Sequence, residues 1–97
     1  MNEFKIGDFA VSAAGHDAGK YYVIFQADSE YVYLVDGKIR PLNNPKKKKI
    51  KHIKILEAAQ QNLTDRIIRH TIRNEEIKRA IKLYKRSASV EGRENLF

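Results

Sequence analysis

The chain has 97 residues, 42% of them hydrophobic, and a formal net charge of +7, which suits one domain, or one small domain with a helical appendage, and a modest core. It contains no cysteine, so disulfides and thiolate metal ligands are excluded and a reducing cytoplasm is the expected setting. No stretch approaches the roughly 18 apolar residues needed to span a bilayer, and MNEFKIGDF lacks the basic segment and apolar run of a secretion signal, so a soluble protein is expected.

Phe9, Val11 and Ala13 alternate with Ala10 and Ser12, which predicts a first strand over Asp8 to Ala14. Gly15 to Gly19 form a polar turn, and a glycine placed just before a strand marks a forced turn or a bulge, because it has no Cβ to obstruct positive φ. Tyr21, Val23 and Phe25 alternate with Tyr22, Ile24 and Gln26 in a second strand over Lys20 to Ala27. Asp28, Ser29 and Glu30 reverse the chain into a third strand at Tyr31 to Asp36. Asp36-Gly37 is a two-residue hairpin signal leading to a fourth strand at Ile39 to Leu42. Pro41 belongs at an edge, and Asn43, Asn44 and Pro45 read as a loop.

From Lys46 the run KKKKIKHIKIL places Ile53 and Ile55 in one parity and Ile50 in the other, so a bulge or short helical turn is expected near Lys51 and His52. Five short strands with tight turns and no helix between them predict a small closed barrel ending near Leu56. The period then changes. Ile68 and Ile72 lie four apart, and Ile77, Ala80, Ile81 and Tyr84 follow helical spacing, but the step from Ile72 to Ile77 is out of phase. Two amphipathic helices are predicted, from Leu63 or Thr64 to Ile72 and from Glu75 to Arg86, with Asn74 capping the second and Glu75 and Glu76 at its positive end. The domain reading is a barrel over 1–56, a helical extension over 57–87 and a flexible tail over 88–97.

Charge is laid down unevenly. Residues 1–37 hold two basic and six acidic groups, residues 38–54 hold eight basic and no acidic ones, and residues 55–97 hold nine basic and six acidic. A block of like charge is costly to concentrate unless a polyanion neutralises it, which points to nucleic acid or an acidic surface. A solvated loop is the competing reading. On the first helix Arg66, Arg69 and Arg73 are spaced to form a stripe opposite Ile68 and Ile72, suited to bidentate phosphate contacts. Of the strand aromatics, half should be core and half available to stack on unpaired bases, and Tyr22, sharing a strand face with Lys20, is the expected stacking ring.

The order Gly7-Asp8-Phe9-Ala10-Val11, Gly15-His16-Asp17-Ala18-Gly19-Lys20-Tyr21-Tyr22-Val23-Ile24, Leu34-Val35-Asp36-Gly37 and the basic run to His52-Ile53 resembles the KOW motif within an SH3-like barrel. It is similar to the small bacterial KOW-domain proteins that resemble the archaeal and eukaryotic large-subunit ribosomal protein family numbered fourteen-e. The resemblance covers about residues 5 to 56. It implies binding of RNA, usually ribosomal RNA, with Gly19 as the glycine of the turn, Lys20 as its basic neighbour and Lys46 to Lys49 as the basic stretch. Asp17 departs from that pattern, since an acid inside the turn shifts the expected contact toward residues 38–54.

No nucleophile is accompanied by a base and an orienting group in a recognised pattern. His16, His52 and His70 lack metal-ligand spacing, and Gly15-x-x-x-Gly19-Lys20 lacks the spacing of a phosphate-binding loop. The expectation is a non-enzymatic RNA-binding accessory protein of the translation machinery without cofactor or metal. It would use Gly19, Lys20, Tyr22, Lys38, Arg40, Lys46, Lys47, Lys48, Lys49, Lys51 and His52, with Arg66, Arg69 and Arg73 as a second contact. The alternative is a module that docks a ribosomal or transcription protein. Membrane attachment is disfavoured, since no apolar face or lipidation signal accompanies the basic block.

Overall fold

The computed structural model describes residues 4–58 and 60–94, with only the backbone path of 88–94. The strands are β1 (Phe9–Ser12), β2 (Tyr21–Ala27), β3 (Tyr31–Val35), β4 (Lys46–Lys49) and β5 (Ile53–Glu57), and the helices are α1 (Gln61–Ile68) and α2 (Asn74–Glu94). The strands form one antiparallel sheet in the order β4-β3-β2-β1-β5. Residue parity assigns its two faces. Ala10, Tyr22, Ile24, Val32 and Leu34 form a buried cluster on the inner face, closed by Ile50, Ile53 and Ile55. Phe9, Val23 and Val35 point the other way and are covered by Ile67 of α1 and Ile77 and Ile81 of α2. Each aliphatic side chain so removed from water contributes about 1.5–3 kcal/mol.

Register shifts between Phe9 and Ala10 and between Ile24 and Gln26 interrupt the ladders of β1 with β5 and β2 with β3. Such bulges bend and twist a sheet, and the isoleucines of β5 pack against the inner-face cluster to which β1, β2 and β3 contribute. The ladder stays open, however. β4 and β5 are the two edges, so in place of the expected closed barrel the described residues form an open five-stranded sheet. The short 3-10 turn Ile50–His52, where a break in the strand is predicted, joins the two edges. Its backbone groups bond outward to neighbouring loops: the Ile50 N–H donates to Glu30 O at 3.0 Å and the Ala13 N–H to His52 O at 2.8 Å.

The fourth strand is not at Ile39 to Leu42. Asp36 Oδ1 accepts the N–H groups of both Lys38 and Arg40 at 2.8 Å, and the N–H groups of Asp36 and Gly37 both donate to Arg40 O. The Leu42 N–H then donates to Asn74 Oδ1 at 2.8 Å. A carboxylate-centred turn has therefore consumed the donors that a ladder would need, and the strand forms from the lysine run instead. Gly37 is buried at φ 78°, and a Cβ there would meet the Asn74 carbonyl oxygen at 2.3 Å. The start of α2 is thus seated directly on this turn.

Helix α1 stops at Ile68, four residues short of the predicted end. The Thr71 N–H donates to Arg66 O and the His70 N–H to Ile67 O, the paired bonds of a Schellman closure, with His70 at φ 58° in the position glycine usually holds. Asn74 does not cap α2 with its side chain, which is committed to Leu42; Glu76 Oε1 instead accepts the Arg73 N–H at 3.0 Å. On the sheet, Tyr84 stacks on Phe9 with centroids 4.9 Å apart, and Thr64 Oγ1 donates to Ile6 O at 2.9 Å from α1. Backbone helix continues to Glu94, beyond the predicted end at Arg86, while residues 95–97 of the expected tail lie outside the described residues.

Candidate nucleic-acid interface

The lysine run alternates as a strand must. Lys46 opposes Leu34, Lys47 opposes Tyr33, Lys48 opposes Val32 and Lys49 opposes Tyr31. Lys48 therefore turns toward the inner face, where it is buried, while Lys47 and Lys49 are exposed on the outer face and Lys46 is half-buried.

Lys48 is withdrawn from any solvent-side role. Its Nζ donates to Asp17 Oδ1 and to Ala14 O, each at 2.6 Å. Ser12 Oγ donates to the same carboxylate oxygen at 2.8 Å, and Tyr22 Oη donates to Asp17 Oδ2 at 3.3 Å. Burial pushes the Asp17 carboxyl up, but the Lys48 and Ser12 hydrogen bonds and the lysine charges outweigh it and hold the group down at about 2. Burial, together with the Asp17 charge, raises the Tyr22 hydroxyl to about 12. These four side chains form a satisfied polar knot that clamps the Gly15–Gly19 turn against β4.

Tyr22 is consequently not a stacking surface: its ring is buried in the inner cluster, 3% exposed, with its hydroxyl spent on Asp17. The outward rings are those of Tyr31 and Tyr33, half-buried on β3. Their signal was in the β3 pattern YVYLV, in which Tyr31 and Tyr33 occupy one parity and Val32 and Leu34 the other. Lys47 Nζ lies 4.3 Å from the Tyr31 ring centroid. Asp28 Oδ1 accepts the Glu30 and Tyr31 N–H groups, and its Oδ2 accepts from Tyr33 Oη at 3.5 Å. Those backbone bonds hold the exposed carboxylate below its ordinary pKa.

Lys51 is exposed in the 3-10 turn beside half-buried His52, at the Lys49 end of β4. Lys20 is exposed beside Gly19, whose φ of 88° faces open space. Lys38 is exposed and Arg40 half-buried on the Asp36–Arg40 turn, at the Lys46 end of the hairpin. The expected arginine stripe does not exist. With α1 ending at Ile68, Arg69 is its cap and Arg73 precedes α2, so the three do not share a helix face. Arg66 is ion-paired with Glu76, and its Nη2 donates to Thr71 O at 2.7 Å. Among the described residues, the ion pairs are Lys48–Asp17 and Arg66–Glu76; Lys47, Lys49 and Lys51 form none, although the Lys47 charge is near enough to Asp28 to help lower its carboxyl.

No group of three His, Cys, Asp or Glu among the described residues could hold a metal ion, and no described helix is long and apolar enough to cross a membrane. Comparison with protein-family models finds no match, and comparison with curated proteins finds none either.

Proposed function

We propose that the protein is a non-enzymatic RNA-binding accessory factor of the translation machinery that grips phosphates through the outer edge of its sheet. The observation that carries this reading is the set of exposed lysines at 47, 49 and 51, which form no salt bridge among the described residues. Phosphate contact relieves that concentration of charge and releases counterions. A lysine-bearing edge also resists pairing with other chains, but edge protection gives no reason for the outward tyrosines beside those lysines. Lys20, Lys38 and Arg40 extend the positive surface along the neighbouring turns, whereas Lys48 and Arg66 serve the fold.

The SH3-like barrel belongs to the same proposal. A meander whose last strand returns to pair with β1, and whose inner face packs Ile53 and Ile55 of β5 against a cluster shared by β1, β2 and β3, supports reading the sheet as a partly closed version of that architecture. The tie to translation rests on the sequence resemblance to KOW-domain proteins.

The test is binding to purified ribosomes and to an unrelated structured RNA across a salt series, for the wild type and for Lys47→Gln, Lys49→Gln and Lys51→Gln combined. Ribosome binding that outlasts control binding as salt rises, and that drops in the variant, supports the reading. Equal loss on both RNAs reduces it to a general polyanion grip, and absence of binding at low salt overturns it.

A further inference from the structure

We infer that the β3–β4 surface takes an unpaired RNA strand, with two nucleotides laid across Tyr31 and Tyr33 and their phosphates held by Lys47 and Lys49. This deepens, and rests on, the RNA-binding reading above. Tyr31 and Tyr33 are alternate residues of one strand, so their rings are about 6.8 Å apart along it. Each faces a lysine directly across the ladder: Lys49 opposes Tyr31 and Lys47 opposes Tyr33. The result is a two-by-two array of ring-bearing and lysine positions on the ladder, with the Lys47 side chain reaching diagonally to lie over Tyr31.

The ring spacing selects the ligand. Consecutive bases in a B-form duplex rise only about 3.4 Å per strand step, and an A-form RNA helix rises less, so two rings about 6.8 Å apart cannot each meet a consecutive base of an intact helix. In an unpaired segment the bases splay apart and can stack singly on aromatic side chains, a sequence-tolerant interaction. Lys47 already lies over the Tyr31 ring, covering it with a flexible cation that an incoming phosphate would draw aside. Beside Tyr33 a shallow hollow of about 520 Å³ runs on between the sheet and the end of α1, with Phe25, Ile68 and His70 in its lining and the Asp28 carboxylate at the Tyr33 hydroxyl. Ile68 is 60% exposed there, which gives the strand an apolar floor beyond the second ring.

The test compares an oligoadenylate of about 10 nucleotides with a perfectly paired RNA hairpin, at fixed low salt. Variants are Tyr31→Leu with Tyr33→Leu, Tyr31→Phe with Tyr33→Phe, and Lys47→Gln with Lys49→Gln. The chain has five tyrosines and no tryptophan, so stacking is also read directly as quenching of tyrosine fluorescence. The leucine pair should weaken oligoadenylate binding by roughly fivefold or more per ring and leave the hairpin unchanged. The phenylalanine pair, which keeps the fold and the π-faces, should keep the affinity but lose most of the quenching. Equal affinity for the oligoadenylate in wild type and leucine variant, with lysine-dependent binding of both RNAs, would overturn the stacking inference while leaving the phosphate grip standing. Failure of both RNAs to bind wild type would overturn the grip itself.

Discussion

Lys48 Nζ sits 2.6 Å from Asp17 Oδ1, with both side chains close to nine-tenths buried. The contact joins the turn after β1 to the middle of the lysine run, 31 residues away in sequence, and divides that run by function: one lysine holds the fold and its neighbours face solvent. Breaking a buried pair leaves a lone charge in an apolar setting, so Asp17→Ala should cost about 3 kcal/mol in denaturant unfolding. Asp17→Ala combined with Lys48→Met, which removes both charges, should recover much of that loss. A double variant as unstable as the single one would contradict the pairing.

The same knot gives two pH limits. The Asp17 carboxyl is depressed from 3.8 to about 2 in the fold, so its contribution is present above pH 3.8 and is lost as pH falls toward 2. Tyr22 is raised from 10.0 to about 12, so its contribution is present below pH 10 and is lost as pH rises toward 12. Thermal unfolding across pH should show both losses, and Tyr22→Phe should remove the alkaline one.

Two glycines separate conformational need from space. Both have positive φ, but a Cβ at Gly19 meets nothing within 4 Å, whereas at Gly37 it meets the Asn74 carbonyl oxygen at 2.3 Å. Gly19→Ala should cost about 1–2 kcal/mol, the left-handed penalty alone. Gly37→Ala should cost more, because α2 must also shift. Equal costs would refute the seating of α2 on the Asp36–Arg40 turn.

His70 occupies a glycine position at the end of α1 with φ 58°. His70→Gly should stabilise the protein by about 0.5–1 kcal/mol, since relief of left-handed strain exceeds the added chain entropy. The midpoint of urea unfolding is the readout.

How much of this was legible in the sequence follows from where the determinants are local. Period-2 patterns located β1, β2 and β3, and the parity conflict among Ile50, Ile53 and Ile55 marked the turn that became Ile50–His52. The break between two helices was visible in the phase step, but its position depended on a Schellman closure without glycine, which composition does not announce. The fourth strand was displaced because Asp36 caps its own turn and Asn74 reaches back across 32 residues to Leu42. At the site, the lysine block was evident and its exposed members follow from strand alternation. The Lys48 and Tyr22 assignments failed because both answer to Asp17, a tertiary partner. Arg66 was lost to Glu76 for the same reason.

The most direct test of the central claim is the slope of RNA affinity against salt, on a logarithmic scale, for wild type and for Lys47→Gln with Lys49→Gln. The substitutions lie on an exposed edge and should alter stability by no more than about 1 kcal/mol, the loss of the Lys47–Tyr31 cation–π contact included. If these lysines neutralise phosphates, the slope should become shallower by about 1 per lysine. An unchanged slope with unchanged affinity would contradict the account and return the sheet edge to a role in folding or solubility alone.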